Sequence, residues 1–394
     1  MSKGIYYPSG LTRRRFLQVS SVAAGGLILG ACAEDATPTT AAGATTTTAA
    51  GATTTAAAGA TTTAPGMTVP QSDLTEPIHW DFQTPNINLQ SPYWMAIAKG
   101  YFEEVGIDLQ PENITGLDEY LPPVFAGDIQ IALMDASVLF PAEDAAVLDG
   151  SPNGLTWIGC NLGAQPVIMI ANEGVTAENL AGKTVGGARA GTTNEALCKF
   201  ILSDLGLDWE TDVNFVNLTG GSNDWVTAML GGQIDATIAF TRHIALAEEV
   251  GGSAIYNKPR LDPQAGFGVL RSTLDEYPNF ATAWNYAYIK GQQFVKDPAN
   301  WEETRETIVN EFGLDYPDNS YAAFQFDADI MTSDLGWNPD DMDTWLEFLS
   351  DFEDYRWPGM PWRDYVDLSY LHAAQDALGL PQNPVDTNTG VTNL

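Results

Sequence analysis

The stretch Thr184-Val185-Gly186-Gly187-Ala188-Arg189-Ala190-Gly191-Thr192-Thr193-Asn194 decides the reading of the fold. Residues 184–187 form a short apolar run ahead of glycine, the mark of a buried strand. Gly191 makes the turn. Thr192 and Thr193 open a helix over 193–205 that Gly206 ends, because hydroxyl side chains satisfy the first free N–H groups of a helix. The same strand-then-helix text runs on downstream. It gives a strand over 213–216, a helix over 223–230 stopped by Gly231-Gly232, a strand over 234–240 and a helix over 243–250. Upstream, Ile78, Trp80 and Phe82 alternate with polar residues as a strand, and Pro92 opens a helix to about residue 104. A strand over 107–109, a helix over 117–125, a strand over 129–134 and a helix over 137–148 follow, then strands over 156–160 and 167–171. Such alternation means an α/β protein with parallel sheets under helices. The stretches 78–165 and 166–258 read as two similar halves. Beyond them, 274–295, 301–312, 342–352 and 368–378 read as helices with no strand between, a helical C-terminal part suited to packing on the first half.

Composition narrows the function classes. The chain has 394 residues, 17 basic and 51 acidic, for a formal charge of −34, and 44% are hydrophobic. That core is large enough for two or three domain-sized units. The missing Lys/Arg footprint argues against nucleic acid and against electrostatic docking on anionic lipid. Three Cys and three His, with no CxxC, HExxH or Cys/His cluster, give a zinc or redox centre no support. No cofactor and no metal site is expected.

The N-terminus is an address. Thr12-Arg13-Arg14-Arg15-Phe16-Leu17-Gln18 resembles a twin-arginine export signal, with Gln18 where lysine is usual. The apolar stretch 19–31 is too short to span a ~30 Å bilayer at ~1.5 Å per helical residue. It ends in Leu29-Gly30-Ala31-Cys32, which resembles a lipobox, so residues 1–31 read as a lipoprotein signal peptide and Cys32 as the lipidated residue. Cleavage there removes Lys3, Arg13, Arg14 and Arg15 and no acid. Residues 32–75, rich in Ala, Thr and Gly, carry imperfect repeats (43–50, 51–58, 59–66) and read as a flexible tether.

Three segments in order carry a family resemblance. Pro92-Tyr93-Trp94-Met95-Ala96-Ile97-Ala98-Lys99-Gly100-Tyr101-Phe102, continuing to Gly106-Ile107, is the first. Leu180-Ala181-Gly182-Lys183-Thr184-Val185-Gly186 is the second, and Ala228-Met229-Leu230-Gly231-Gly232-Gln233-Ile234-Asp235-Ala236 the third. Together they resemble the periplasmic-type solute-binding proteins of ABC transporters for nitrate, sulfonates, taurine and pyrimidine precursors. A Gly-x-x-Asp usual in the first domain is lost, because Gln130 stands after Gly127-Asp128-Ile129. The resemblance implies a bilobal type II periplasmic-binding-protein fold, two sheet-plus-helix lobes joined by two crossover segments with a helical C-terminal part. The crossovers are expected near 155–165 and 259–270. Lobe 1 is then 76–165 with 259–380, lobe 2 is 166–258, and 381–394 is a tail. The ligand sits in the cleft, which closes by a hinge motion.

Ligands of open α/β sheets bind beyond the C-terminal strand ends. That rule selects Phe82, Thr84 and Asn86 after the first strand, Asp135 and Ser137 after the 129–134 strand, and Thr241 and Arg242 after the 234–240 strand. It also selects Arg189, Gly191, Thr192, Thr193 and Asn194. Thr192 and Thr193 read as an anion or carbonyl site or as a plain cap, and Arg189 as a cleft charge or a solvated one. Asp135 can accept from a ligand amine or cap the next helix. Tyr93 and Trp94 are placed to stack a flat or apolar ligand, whereas Trp80 and Phe82 can equally be core. Gly186 and Gly191 have phosphate-loop spacing, but Thr192 stands where lysine is required, so a nucleotide loop is not expected. Cys160 and Cys198 can bond or stay as buried thiols; a bond would tether the hinge.

The leading expectation is a non-enzymatic substrate-binding lipoprotein of an ABC importer. It is exported, anchored on the outer face of the cell membrane through Cys32, monomeric, and partnered by a small-molecule ligand and permease subunits. The ligand is a small organic molecule, aromatic or pyrimidine-like, or a sulfonate or relative. A sensing domain for an extracytoplasmic receptor is the alternative. A pyrimidine-synthesising enzyme on the same fold is disfavoured, since the resemblance gives those a Cys-rich iron motif that this chain lacks.

Overall fold

A computed structural model describes residues 68–81, 87–112, 117–260, 262–263, 265–312, 321–352 and 356–382. Strand β1 (Ile78–Asp81) is followed by helices α1 (Ile87–Ala98) and α2 (Tyr101–Glu104), and then by β2 (Leu109–Glu112), which pairs with β1 in parallel. Next come α3 (Leu117–Ala126), β3 (Ala132–Asp135), α4 (Ala136–Leu148), β4 (Leu155–Cys160) and β5 (Gln165–Ala171). The second half runs β6 (Thr184–Gly187), α5 (Thr193–Asp204), β7 (Asn214–Asn217), α6 (Ser222–Leu230), β8 (Ala236–Ala239), α7 (Thr241–Glu249) and β9 (Ser253–Arg260). The chain returns through β10 (Ala265–Leu270) and continues as α8 (Arg271–Glu276), α9 (Phe280–Lys296), α10 (Trp301–Phe312), α11 (Tyr321–Ile330), α12 (Pro339–Phe352) and α13 (Ser369–Leu378). No helix among the described residues is long and apolar enough to cross a membrane.

Two lobes result. One holds the β1–β2 pair and the sheet β3-β10-β4; the other holds the sheet β7-β6-β8-β5-β9. The expectation of parallel sheets is corrected. β10 runs antiparallel to β3 and β4, and β5 runs antiparallel to β8 and β9, while β6 pairs in parallel with β7 and β8. The returning strands went unread for physical reasons. β9 is an edge strand carrying Lys258, Pro259 and Arg260, residues that protect an edge and break the apolar pattern. β10 contains Gly266 and Gly268, and a Cβ on Gly266 would lie 2.1 Å from the Gly159 carbonyl oxygen. Close packing demands glycine there, and glycine reads as loop. Pro92 sits inside α1 rather than opening it. α1 packs along α9, and Gly291 permits the approach, since a Cβ there would be 2.2 Å from the Pro92 carbonyl oxygen. The expected 274–295 helix is broken at Tyr277 (φ −125°, ψ 74°) because the following Pro278 disfavours helical geometry. The sequence pattern gives no sign of α11.

The lobes are joined where β4 passes to β5 and β9 to β10. The first junction is tied on both sides. The amides of Asn161 and Leu162 donate to the Ala265 carbonyl (2.9 and 3.2 Å). On the other side the Cys160 amide donates to Leu335, the Gly163 amide to Ile330, and the Thr332 amide to Asn161. Cys160 and Cys198 are both buried free thiols, and burial pushes the Cys198 thiol up to about 12 and the Cys160 thiol higher still. Several C-terminal helices pack on the first lobe, whereas α11 and α12 also touch the second. Phe348 and Phe352 of α12 meet Phe200 of α5 (ring centroids 5.4 and 6.2 Å apart), and Lys199 Nζ donates to the Phe352 carbonyl at 3.0 Å. The Arg260 guanidinium lies 3.6 Å from the Phe348 ring centroid. Asp343 binds α12 back to the first lobe by accepting from Trp362 Nε1 and Arg363 Nη2, both at 2.7 Å.

Candidate functional site

β3 ends at Asp135, whose carboxylate accepts the Ser137 amide at 2.9 Å and so caps α4. Asp is favoured at that position because it satisfies a helix-start N–H and suits the positive end of the helix. In the other lobe β6 ends at Gly187, and residues 188–192 turn into α5. Gly191 has φ 75°, a conformation that needs glycine, and Thr192 caps the helix while its hydroxyl donates to the Arg189 carbonyl at 2.7 Å. The two starts meet. The Thr193 hydroxyl donates to Asp135 Oδ1 at 3.1 Å and is in hydrogen-bond contact with the Ser137 hydroxyl. Thr193 and Ser137 are buried, and Asp135 is half-buried.

A second layer holds the loop in shape. Glu195, 5% exposed, accepts the Gly191 amide at 2.6 Å and Asn217 Nδ2 at 2.9 Å, and pairs with Lys199 Nζ at 3.2 Å. Asn217 Nδ2 also reaches the Ala188 carbonyl at 2.9 Å. One strand over, β8 leads into α7. The Phe240 amide donates to His243 Nδ1 at 3.2 Å, so the ring proton sits on Nε2, facing Asn223 Oδ1 at 3.0 Å. Burial and then the Arg242 charge bring His243 down to about 3, so the ring is neutral. Arg242 Nη2 donates to the Ser222 hydroxyl at 2.8 Å, and its guanidinium lies 5.0 Å from the Phe240 ring centroid.

The profile of the NMT1-like family matches residues 86–309, which contain β3, α4, β6 and α5. The chain belongs to the NMT1-like family. This NMT1-like chain also shares its fold with solved binding proteins. The periplasmic aliphatic sulphonate-binding protein of Escherichia coli matches at 14% identity and TM-score 0.54, over 71% of this chain and 87% of that one. The periplasmic nitrate-binding protein of Synechocystis PCC 6803 matches at 13% identity and TM-score 0.59, over 79% and 91%. The ligand-binding component of an ABC-type import system from Staphylococcus aureus matches at 13% identity and TM-score 0.56, over 75% and 98%. The fold is therefore the periplasmic-binding-protein fold. No curated protein matches the sequence.

The residues selected from the NMT1-like sequence fall into groups. Asp135, Ser137 and Thr193 are brought together across the lobes, and Arg189, Gly191 and Thr192 form the turn just ahead of Thr193, tied by the Thr192 hydroxyl to the Arg189 carbonyl and by the Gly191 amide to Glu195. Asn194 is half-buried on the first turn of α5. Thr241 and Arg242 start α7 on the strand beside β6. Tyr93 and Trp94 are interior residues of α1, Tyr93 edge-on to Phe102 (6.1 Å) and Trp94 against Phe312 (4.7 Å). Phe82, Thr84, Asn86 and the lipidation candidate Cys32 lie outside the described residues. Glu195, Asn217 and His243 were missed. Glu195 had a signal, because Thr192 followed three residues later by glutamate is a capping pattern. Among the described residues no cluster of His, Cys, Asp or Glu could hold a metal ion.

Proposed function

We propose that this chain is the extracytoplasmic substrate-binding lipoprotein of an ABC importer. It takes a small organic ligand between its lobes and presents it to permease subunits without chemistry. The signal at residues 12–32 and the tether behind it would hold the folded body, as a monomer, on the outer face of the membrane. One observation carries the reading. The hydrogen bonds from Thr193 to Asp135 and Ser137 bring strand ends of both lobes to one point, where a ligand of this fold would be held. The likeness to sulphonate- and nitrate-binding proteins supports the class.

A native mass spectrum of protein purified from its own host tests this. A bound small molecule, with a thermal shift or tryptophan change when it is added back, is the expected result. No ligand from the host, together with no response to sulfonates, nitrate, pyrimidines or amines, would sink it.

A further inference from the structure

The two junctions between the lobes are built differently. The first, from β4 to β5, is tied by backbone bonds. The second, from β9 to β10, carries a carboxyl group into the interior. Asp262 lies in it and is 0% exposed. Arg260, the last residue of β9, brings Nε to 2.6 Å from Asp262 Oδ2. The contact is one of charge, because among the described residues neither Asp262 oxygen accepts a directed hydrogen bond. The Arg260 guanidinium is also engaged with three rings, 3.6 Å from the Phe348 centroid, 5.3 Å from Phe200 and 6.0 Å from Trp345. Gln165, at the start of β5, is the register partner of Arg260, so both side chains leave the same face of the sheet. Gln165 is buried too, and its Nε2 has no acceptor among the described residues. A buried carboxylate is costly unless cations and N–H donors surround it. Here a single cation, itself engaged with rings, stands beside it.

We propose that Asp262 is a proton-operated latch in the junction from β9 to β10. With a proton on its carboxyl the junction stays packed. When that proton leaves, the junction swings out and gives the carboxylate water, and the lobes part. The charges that act on Asp262 are Arg260, from β9, and Asp341, from α12. Burial pushes the Asp262 carboxyl up to about 8; Arg260 restrains that rise, and the like charge of Asp341 adds to it. A hydrated Asp262 has the ordinary value near 3.9. Between these two values the packed junction holds a proton that the open one has lost. By linkage, the packed junction is fully favoured below about pH 3.9 and loses ground as pH rises to about 8, above which both forms are ionised and the balance is level. The Arg260 guanidinium lies against Phe348 of α12, a helix that touches both lobes, so a moving junction and the aromatic flank are mechanically joined.

The ligand-free full chain tests this, so the outcome is independent of the import reading. Infrared spectra report the protonated carboxyl, and small-angle scattering reports the opening of the lobes. At about pH 6 the wild type should show a protonated-carboxyl band that D262N lacks and that is gone at about pH 9. Over the same interval the wild-type radius of gyration should rise and then level off, as the open population grows by up to about tenfold per pH unit. D262N keeps a neutral side chain throughout and should keep the low-pH profile. Lys296, which donates to the Ala328 and Met331 carbonyls and is brought down to about 8 by burial, titrates nearby. D262N retains that lysine and so separates the two groups. D341N removes the like charge, and the band should then vanish at a pH about 0.5 lower. No protonated-carboxyl band at pH 6, a radius of gyration that ignores pH, or the same rise in D262N overturns the proposal. If D262N does not fold, D341N decides, and a band that vanishes at the wild-type pH overturns it.

Discussion

Helix α5 is held at two places, and they differ in kind. At its start, Thr193 meets Asp135 and Ser137 through hydroxyls and a carboxylate. Two turns on, Phe200 packs on Phe348 and Phe352 of α12, with Trp209 against Phe352 at 5.6 Å. Water or a ligand can take over the first contact, because each hydrogen bond lost there can be remade. The second rests mainly on ring contact, beside the Lys199 bond to the Phe352 carbonyl and Arg260 over Phe348, and water or a ligand does not remake ring contact. Movement of the second lobe is therefore expected to part the polar tip and to keep the aromatic flank as its pivot.

The largest effect should come from the flank. Phe348→Ala removes a ring packed on Phe200, Trp345, Phe352 and Arg260, and should cost about 3–5 kcal/mol in urea unfolding. An unchanged midpoint would mean that α12 merely rests on the second lobe. Acid should act on the cleft side instead. His243 is held neutral with a value near 3, below its unfolded value near 6.5, so the unfolded chain binds the extra proton in between. Stability from this group is complete above about pH 6.5 and is lost as pH falls, by up to about 1.4 kcal/mol per unit. His243→Asn should flatten the slope of the urea midpoint between pH 6.5 and 4.5, and an identical slope would refute the buried neutral ring. The smallest effect belongs to the tip. Thr193→Val keeps the volume and removes one hydroxyl, for about 0.5–1.5 kcal/mol. Small-angle scattering should show a larger radius of gyration than wild type, and an unaltered profile would show that the tip does not hold the lobes together.

The same contrast explains what the sequence made legible. Residues 184–205 could be read because strand, glycine turn and hydroxyl cap are all local, and β6 and α5 lie within a residue of their expected bounds. Asp135 and Thr193 were selected separately by the rule of strand ends. Their meeting depends on two junctions far apart in the chain, so no local pattern announced it. Tyr93 and Trp94 show a different limit. A pair of aromatics after a proline looks the same in sequence whether it faces a cleft or α10, and the packing of Trp94 on Phe312 is visible only in the fold. The flank was equally hidden, since Phe200 and Phe348 are joined by burial alone.

The tied junction between β4 and β5 has a consequence for deuterium labelling. The amides of Cys160, Asn161, Leu162 and Gly163 all donate to carbonyls from other parts of the chain, Leu335, Ala265 and Ile330. Exchange there requires neighbouring segments to come away together. A linker of this kind exchanges as slowly as the sheets it connects, and it bends as a band rather than as a loop.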